Sequence, residues 1–261
     1  MKSMVIVIGL LMVMPITIVE SHTTPQPFWE GSVTLVENTT CVIKAKSGKT
    51  YEIDYVTALG ALDKAAKKGN FSYTVDDSWY AQYGALFVDS IAGKKNKGMD
   101  GWQYWVNYPN DPIPMTGADK YKVKNGDTVD WFYGGYGSNP DNAKMLIRIH
   151  VNVVKDREKP IVGFEKPRGG IYIFNREIVH FYGISYIIGK ITVKAFAYDN
   201  LSGINKVEFY VDGNIKKTCN EMPYQWNWNE TAIGTHVLKV IAYDEVGNSN
   251  QAIANIWIIT M

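Results

Sequence analysis

The side chains that most often carry catalysis or bind metals are few in this sequence and lie far apart. It contains four histidines and two cysteines, and no two of them have the spacing of a zinc site. A serine or cysteine nucleophile needs a base and an orienting group, and no Gly-x-Ser-x-Gly sequence is present. The carboxylate pair Asp76 and Asp77 has no third group beside it to indicate a glycosidase. The sequence therefore predicts no catalytic residue, no metal site and no enzymatic activity.

Two loops carry oxygen ligands that would suit a calcium ion in an extracellular protein. They run from Asp199 to Gly203 and from Asp244 to Asn248. Neither loop has the alternating carboxylates of a high-affinity calcium loop, and aspartate in such positions often accepts a hydrogen bond from the backbone two residues later. We therefore interpret both as turns, with calcium as the alternative.

Aromatic residues supply the strongest functional signal. In the segment from Trp102 to Asn107, alternation places Trp102 and Tyr104 on one strand face and Trp105 on the other. A one-sided sheet buries only one of these sets, so the other is free to stack a sugar, a planar cofactor or a partner side chain. The alternative is that the aromatics are shared between the core and an interdomain contact. The predicted ligand-binding residues are Trp102, Tyr104, Trp105, Tyr108, Tyr133 and Tyr136.

The amino-terminal segment predicts export. After Met1 and Lys2, the run Met4 to Val19 contains 16 residues without a charge, which is shorter than the roughly 20 residues of a membrane-spanning helix. We predict a signal peptide at 1–22, with retention as an uncleaved anchor as the alternative, and an extracellular or cell-surface location. No further transmembrane helix is predicted.

Charge and cysteine content limit the partners. Lys and Arg number 27 against 26 Asp and Glu, so no overall field favours nucleic acid. Two cysteines do not make a disulfide scaffold; Cys41 and Cys219 are either one bridge between the halves or two free thiols. Four Asn-x-Ser/Thr triplets give candidate glycosylation sites at Asn38, Asn70, Asn200 and Asn229.

One helix is predicted in an otherwise strand-rich first half. Thr57 is a good N-cap, Leu59, Leu62 and Ala66 recur at helical spacing, and Lys67 to Gly69 provide positive charge and a stop. Alternating segments before and after it predict strands, and Asn125-Gly126 predicts a hairpin turn. A strand from Met145 to Val153 closes this half.

A charged run ending at Pro160 predicts a boundary, which gives domains at 23–155 and 156–261. The second half has about seven short alternating segments in roughly 100 residues, a spacing typical of a β-sandwich. The predicted strands are Ile161 to Phe164, Ile171 to Phe174, Ile191 to Tyr198, Lys206 to Val211, Tyr224 to Trp228, His236 to Tyr243 and Ala252 to Ile259. The fold class is mainly β: an α+β sheet-and-one-helix domain followed by an immunoglobulin-like β-sandwich.

Four ordered motifs in the first half resemble the transcobalamin-like C-terminal domain family over about residues 31–137. They are Thr57-Ala58-Leu59-Gly60-Ala61-Leu62, the segment from Gly84 to Gly93, Gly101-Trp102-Gln103-Tyr104-Trp105-Val106-Asn107, and Val123-Lys124-Asn125-Gly126-Asp127-Thr128-Val129. The resemblance implies a compact sheet with one packed helix, of the kind that forms one lid over a corrinoid. The helical domain that forms the other side of the carrier site is absent from this sequence. A corrinoid is therefore the candidate cofactor only together with a partner protein.

The second half resembles bacterial immunoglobulin-like modules of cell-surface proteins over residues 160–259. The motifs are the segment from Ser202 to Gly213, Met222-Pro223-Tyr224-Gln225-Trp226, Gly234-Thr235-His236-Val237-Leu238 and Ala242-Tyr243-Asp244-Glu245-Val246-Gly247-Asn248. The resemblance implies a spacer, stalk or adhesive unit without chemistry of its own.

Together these features predict a secreted or cell-surface, non-enzymatic binding or adhesion protein. The first domain offers an aromatic recognition face to a protein or glycan, and the second spaces or docks it. The alternatives are a corrinoid-type capture protein that works with a partner, and a structural envelope component that self-associates.

Overall fold

The computed structural model describes residues 25–261, so the predicted signal peptide lies outside the described residues. Two helices and nineteen strands occur in the described chain. The helices are α1 (Ala58–Gly69) and α2 (Tyr80–Tyr83). The strands up to residue 154 are β1 (Trp29–Val36), β2 (Thr40–Lys44), β3 (Thr50–Asp54), β4 (Tyr73–Asp76), β5 (Phe87–Ile91), β6 (Lys94–Lys95), β7 (Gly101–Val106), β8 (Thr128–Gly134) and β9 (Met145–Val154). The mainly β class predicted from the sequence is confirmed.

Helix α1 begins and ends as its sequence predicts. The Thr57 hydroxyl accepts a hydrogen bond from the Gly60 amide, and Asn70 closes the helix in the left-handed conformation. Gly60 is required by packing, because a Cβ there would lie 2.3 Å from the Tyr55 carbonyl oxygen. Its apolar side chains, including Leu59 and Leu62, are fully buried. The helix therefore covers one face of a sheet at close range.

That sheet has four strands in the order β1-β9-β8-β7. Strand β1 pairs with β9 in parallel, from Trp29 opposite Ile147 to Val36 opposite Val154, and the other pairs are antiparallel. The alternation predicted in β9 is confirmed, since Ile147, Ile149 and Val151 are buried while Arg148 and His150 lie on the other face. The buried face and α1 enclose the core of this part of the chain.

The turn at Asn125-Gly126 forms, but the predicted hairpin does not. Only Gly126 of the two has positive φ, as in a type II rather than a type I′ turn. The Gly126 amide bonds to the Val151 carbonyl at 2.8 Å, and Asn125 accepts from the Val153 amide at 3.0 Å. The turn therefore packs against β9, and Lys122 makes only an isolated bridge with Thr57. The strand predicted before the turn was wrong.

The chain from residue 161 forms ten strands. They are β10 (Ile161–Lys166), β11 (Gly170–Ile173), β12 (Arg176–Val179), β13 (Ser185–Ile188), β14 (Ile191–Tyr198), β15 (Ile204–Val211), β16 (Asn214–Cys219), β17 (Gln225–Trp228), β18 (Ala232–Asp244) and β19 (Ser249–Thr260). A seven-stranded sheet, β12-β11-β13-β19-β18-β15-β16, and a three-stranded sheet, β10-β14-β17, share one buried core. This is the layering of a β-sandwich.

The seven strands predicted here are all present, and three others were missed. Strands β12 and β13 lie in a stretch without regular alternation, and β13 gains its place by pairing in parallel with both β11 and β19. Strand β16 forms a hairpin with β15 through Asp212 and Gly213, both with positive φ, as the sequence predicts for this turn. Such long-range parallel pairing has no local signature.

The two cysteines are free and buried. Cys41 belongs to the core beneath α1, and Cys219 belongs to the core of the sandwich. Of the two alternatives left by the sequence, the structure therefore has two separate thiols. Burial raises the pKa of the Cys41 thiol to about 12.

Candidate binding surfaces

Three of the six predicted ligand-binding residues lie in the core. Trp102, Tyr104 and Tyr133 are all buried against α1 and its neighbours. The polar atom of each bonds to a backbone carbonyl: Trp102 Nε1 to Lys94 at 2.7 Å, Tyr104 Oη to Thr116 at 2.7 Å and Tyr133 Oη to Lys95 at 2.9 Å. This face of β7 is therefore the interior face, and the expectation that these three are accessible needs correction.

Trp105 and Tyr108 lie on the opposite face of the sheet. Trp105 is half-buried against a small cluster formed by Phe132, Ala143 and Leu146, and its Nε1 donates to the Asp111 carbonyl at 2.7 Å. Its ring centroid is 4.9 Å from that of Tyr108 at an angle of 75°. Both faces of β7 are thus at least partly covered, which a one-sided sheet would not allow.

Tyr136 differs from the other five predicted residues. It is fully exposed in the turn that follows β8. Ligand binding by the six residues stays a prediction, but only Trp105, Tyr108 and Tyr136 have the exposure that a surface contact needs.

A polar cleft of about 710 Å³ lies on the outer face of the four-stranded sheet and includes Tyr108. Arg148 donates to both oxygens of Asp130, at 2.8 and 3.0 Å, and Asp130 is almost fully buried. His150 bonds to Glu30 at 3.1 Å and to the Thr128 hydroxyl at 3.2 Å. The Asp130 carboxylate raises the pKa of Arg148. The polar groups of this cleft therefore largely satisfy one another.

A second cleft, here called the aromatic cleft, has a volume of about 510 Å³ and was not predicted from the sequence. Its lining is Asp76, Trp79, Tyr83, Phe87, Asp89 and Asn96. The side chains of Trp79, Tyr83 and Phe87 are 56%, 60% and 44% exposed. Large aromatic side chains are seldom left this open without a function, so this cleft is the most accessible aromatic surface on the amino-terminal part.

Short elements hold the three rings together. Trp79 and Tyr83 are one turn apart across α2, and their ring centroids are 6.2 Å apart. Gly84 ends α2 with positive φ and sends the chain into β5, where Phe87 lies 6.0 Å from Tyr83. The i, i+4 spacing of Trp79 and Tyr83 was the available signal. It was missed because the surrounding segment has no apolar period.

Fixed charges line the other side of the aromatic cleft. Lys46 Nζ lies 3.0 Å from Asp76 and 3.1 Å from Asp89. Ser78 donates to Asp76 through its amide and its hydroxyl, and these bonds, with that of Lys46, lower the pKa of Asp76 to about 2. The Asn96 amide is oriented by bonds to the Val88 carbonyl and the Trp102 amide.

Three carboxylates meet where the two parts of the chain join. Oxygens of Asp156, Asp199 and Asp244 lie within 4.8 Å of one another, a set that could hold a metal ion. The predicted turns are present, because Asp199 accepts from the Leu201 amide at 2.9 Å and Asp244 from the Val246 amide at 3.1 Å. Asp156 also accepts from the Ser202 amide at 3.2 Å. Backbone donors thus account for the placement of these groups.

The outer face of the seven-stranded sheet carries an apolar surface, here called the isoleucine face. Two rows of side chains cross β11, β13, β19 and β18, and seven of the eight are apolar. One row is Ile173, Ile188, Ile259 and Ile233, and the other is Ile171, Tyr186, Trp257 and Thr235. Ile233 is 71% exposed. The same sheet becomes polar toward β15, where Glu208 bonds to Lys206 and Tyr210.

Two family models match parts of the chain. A model described as a bacterial Ig domain matches residues 185–240, and one described as a domain of unknown function (DUF4430) matches residues 56–135. The carboxy-terminal part is immunoglobulin-like. The second match lies within the stretch that resembles the transcobalamin-like family, and its description names no ligand, so that resemblance stays a prediction.

Solved structures with similar folds are mostly tandem or single β-sandwich modules. The fibronectin(III)-like modules of CbhA from Clostridium thermocellum are 24% identical over 38% of this chain and 98% of that chain, with a TM-score of 0.30. The PKD1 domain of Epp from Vibrio anguillarum is 11% identical over 41% and 100%, with a TM-score of 0.28. The four amino-terminal Ig domains of Dscam1 isoform 4.44 are 8% identical over 90% and 45%, with a TM-score of 0.30. No curated protein matches the chain.

Two further sequence expectations concern the surface. The asparagines of all four candidate glycosylation sites are exposed, and their modification stays a prediction. Among residues 25–261, neither helix has the length and hydropathy needed to cross a membrane.

Proposed function

We propose that this chain is an exported, non-enzymatic binding protein of the cell surface. Residues 23–155 form the domain that recognises a ligand, and residues 156–261 form an immunoglobulin-like domain that spaces or docks it. Two separate hydrophobic cores support this division, one built from residues before 154 and one from residues after 170.

The aromatic cleft carries the proposal. Trp79, Tyr83 and Phe87 are exposed together beside charged groups that are already held in place. Exposed aromatic rings in a cleft with oriented polar groups are the usual composition of a binding site. Recognition therefore belongs at α2 and β5 rather than at the buried side chains of β7.

The immunoglobulin-like part supports the surface location and the absence of catalysis. A bacterial Ig domain is a module of surface and extracellular proteins, and such a fold is typically a spacer or an adhesive unit. A fold carries no function by itself, so the recognition role rests on the cleft.

The test is binding of the full chain to immobilised polysaccharides and extracellular proteins, measured by surface plasmon resonance. The double variant Trp79→Ala/Tyr83→Ala removes two exposed rings, and Tyr136→Ala removes a third exposed ring outside the cleft. We expect the double variant to bind at least tenfold more weakly than the wild type, while Tyr136→Ala binds normally. Equal binding by all three proteins would place recognition elsewhere.

The isoleucine face favours a second function, that of a structural envelope component. Two such faces from two copies would bury apolar rows against each other with few charges to desolvate. Sedimentation velocity over a range of concentrations distinguishes the two functions. Strong self-association together with no binding in the panel favours the structural role.

The polar cleft is the place for the alternative of corrinoid-type capture. It lies beside Trp105 and Tyr108, and its amide and carboxylate groups are open on one side. Saturable quenching of tryptophan fluorescence by a corrinoid, lost in Trp105→Phe/Tyr108→Ala, would support capture; a protein partner would then supply the other half of the site.

A further inference from the structure

We propose that the aromatic cleft binds an organic cation, and specifically a quaternary ammonium group. This inference rests on the proposed function, because it names the ligand class of the same cleft. Three features carry it: the angles between the rings, the balance of charge, and the hydrogen bonds that the carboxylates have already made.

The rings form walls rather than a platform. The planes of Trp79 and Tyr83 are inclined by 50°, and those of Tyr83 and Phe87 by 77°. A sugar ring stacks best on a flat face, whereas several rings turned toward one another present their negative faces to a compact, rounded group. A cation within about 6 Å of such faces is attracted by the ring quadrupoles.

The charge around the rings is negative. Asp76 and Asp89 line the cleft, and Asp77 follows directly in the chain; Lys46 is the cation that pairs with the first two. Asp77 is itself held by Ser47 and by the Tyr51 hydroxyl at 2.9 Å. Three carboxylates against one ammonium attract a cationic ligand and repel an anionic one.

The hydrogen bonds select among cations. Lys46 occupies one oxygen of Asp76 and one of Asp89, and Ser78 bonds the other oxygen of Asp76. A primary amine would need these acceptors for its N–H groups. A quaternary ammonium has no N–H group, so it gains the field of the carboxylates and the ring faces without competing for their lone pairs.

The experiment compares choline with 3,3-dimethyl-1-butanol, which has the same shape and no charge. Each is titrated into the full chain by isothermal calorimetry, with intrinsic tryptophan fluorescence as the second readout. We expect choline to bind saturably and the neutral analogue to bind at least tenfold more weakly, since a desolvated cation–π contact contributes about 2 kcal/mol or more. Equal binding of the two would overturn the proposal, because shape alone would then explain it.

Variants assign the site. Trp79→Ala should weaken choline binding at least tenfold, Trp79→Phe should retain most of it, and Tyr136→Ala should leave it unchanged. Circular dichroism and thermal unfolding check that each variant is folded; Tyr83→Ala replaces Trp79→Ala if the latter is not. Choline binding that survives both alanine variants would overturn the assignment to this cleft.

The cation proposal and the proposed function can fail separately. If choline and tetramethylammonium do not bind, but the polysaccharide and protein panel detects a ligand that depends on Trp79 and Tyr83, the cation class is wrong and the recognition role stands. If neither choline nor any member of the panel depends on these two rings, both are wrong.

Discussion

The outer faces of the two large sheets have opposite character. On the four-stranded sheet, Asp130, Arg148 and His150 make a network of polar contacts within a cleft. On the seven-stranded sheet, the corresponding face carries the isoleucine face. Both sheets bury their other face in a core, so alternation alone did not set this difference. Polar groups that bond to one another leave a surface stable in water, whereas exposed isoleucine and tryptophan gain free energy when another surface covers them.

The largest expected effect tests which face of β19 is interior. Ile258→Ala should lower the free energy of unfolding by about 2–5 kcal/mol, because the side chain is fully buried and its loss leaves a cavity. Ile253→Ala, on the outer face of the same strand, should change it by less than about 1 kcal/mol. Urea denaturation measures both. Similar losses would show that the outer face is covered in the folded protein.

The next effect tests the polar face. Asp130→Asn should destabilise the protein by roughly 3 kcal/mol, since it leaves Arg148 without its buried partner. The double variant Asp130→Asn/Arg148→Met should recover part of this loss by removing the uncompensated charge. If the double variant is less stable than Asp130→Asn, Arg148 contributes by packing and not through the ion pair.

A smaller effect on stability tests the isoleucine face directly. Ile233→Lys should change the free energy of unfolding by less than about 0.5 kcal/mol, because this side chain points to solvent. If two copies associate through this face, the substitution should abolish concentration-dependent association in sedimentation velocity. Gln251→Lys, farther along the same face, is the matched control and should have no effect on association.

The two cysteines report whether the two cores unfold separately, with no change to the native protein. A raised pKa means that the thiol stays protonated to higher pH, so with a pKa of about 12 only ~1 in 10⁴ of Cys41 is the reactive thiolate at pH 8. Neither buried thiol should react with a disulfide reagent in the folded protein. During urea titration, labelling of Cys41 and Cys219 at different midpoints would support two domains, and identical midpoints would argue for one cooperative unit.

Local signals in the sequence predicted local structure well. Thr57 and the spacing of Leu59 and Leu62 predicted α1, and Asp212-Gly213 predicted a hairpin, because caps and positive-φ turns depend on residues close in the chain. The fold class and the alternation of β9 followed from the same kind of pattern.

The candidate site was predicted in kind but not in place. An aromatic face on the first domain was expected, and the sequence could not tell which face of β7 would meet α1, because both faces carry large aromatics. The pairing of Asp76 with Phe87 across β4 and β5 brings the carboxylate and the ring together. That contact depends on strand register and on the turn at α2, neither of which has a strong pattern in the sequence.

The parallel pairing of β1 with β9 has a mechanical consequence. The chain enters β1 at Trp29 and leaves β9 at Val154, at opposite ends of an eight-residue ladder. Tension between residue 25 and the immunoglobulin-like part would therefore slide the two strands past each other. In this geometry the ladder of hydrogen bonds bears the load together instead of opening one bond at a time. The amino-terminal part would hold its fold under pulling forces that a ladder loaded from one end would not resist.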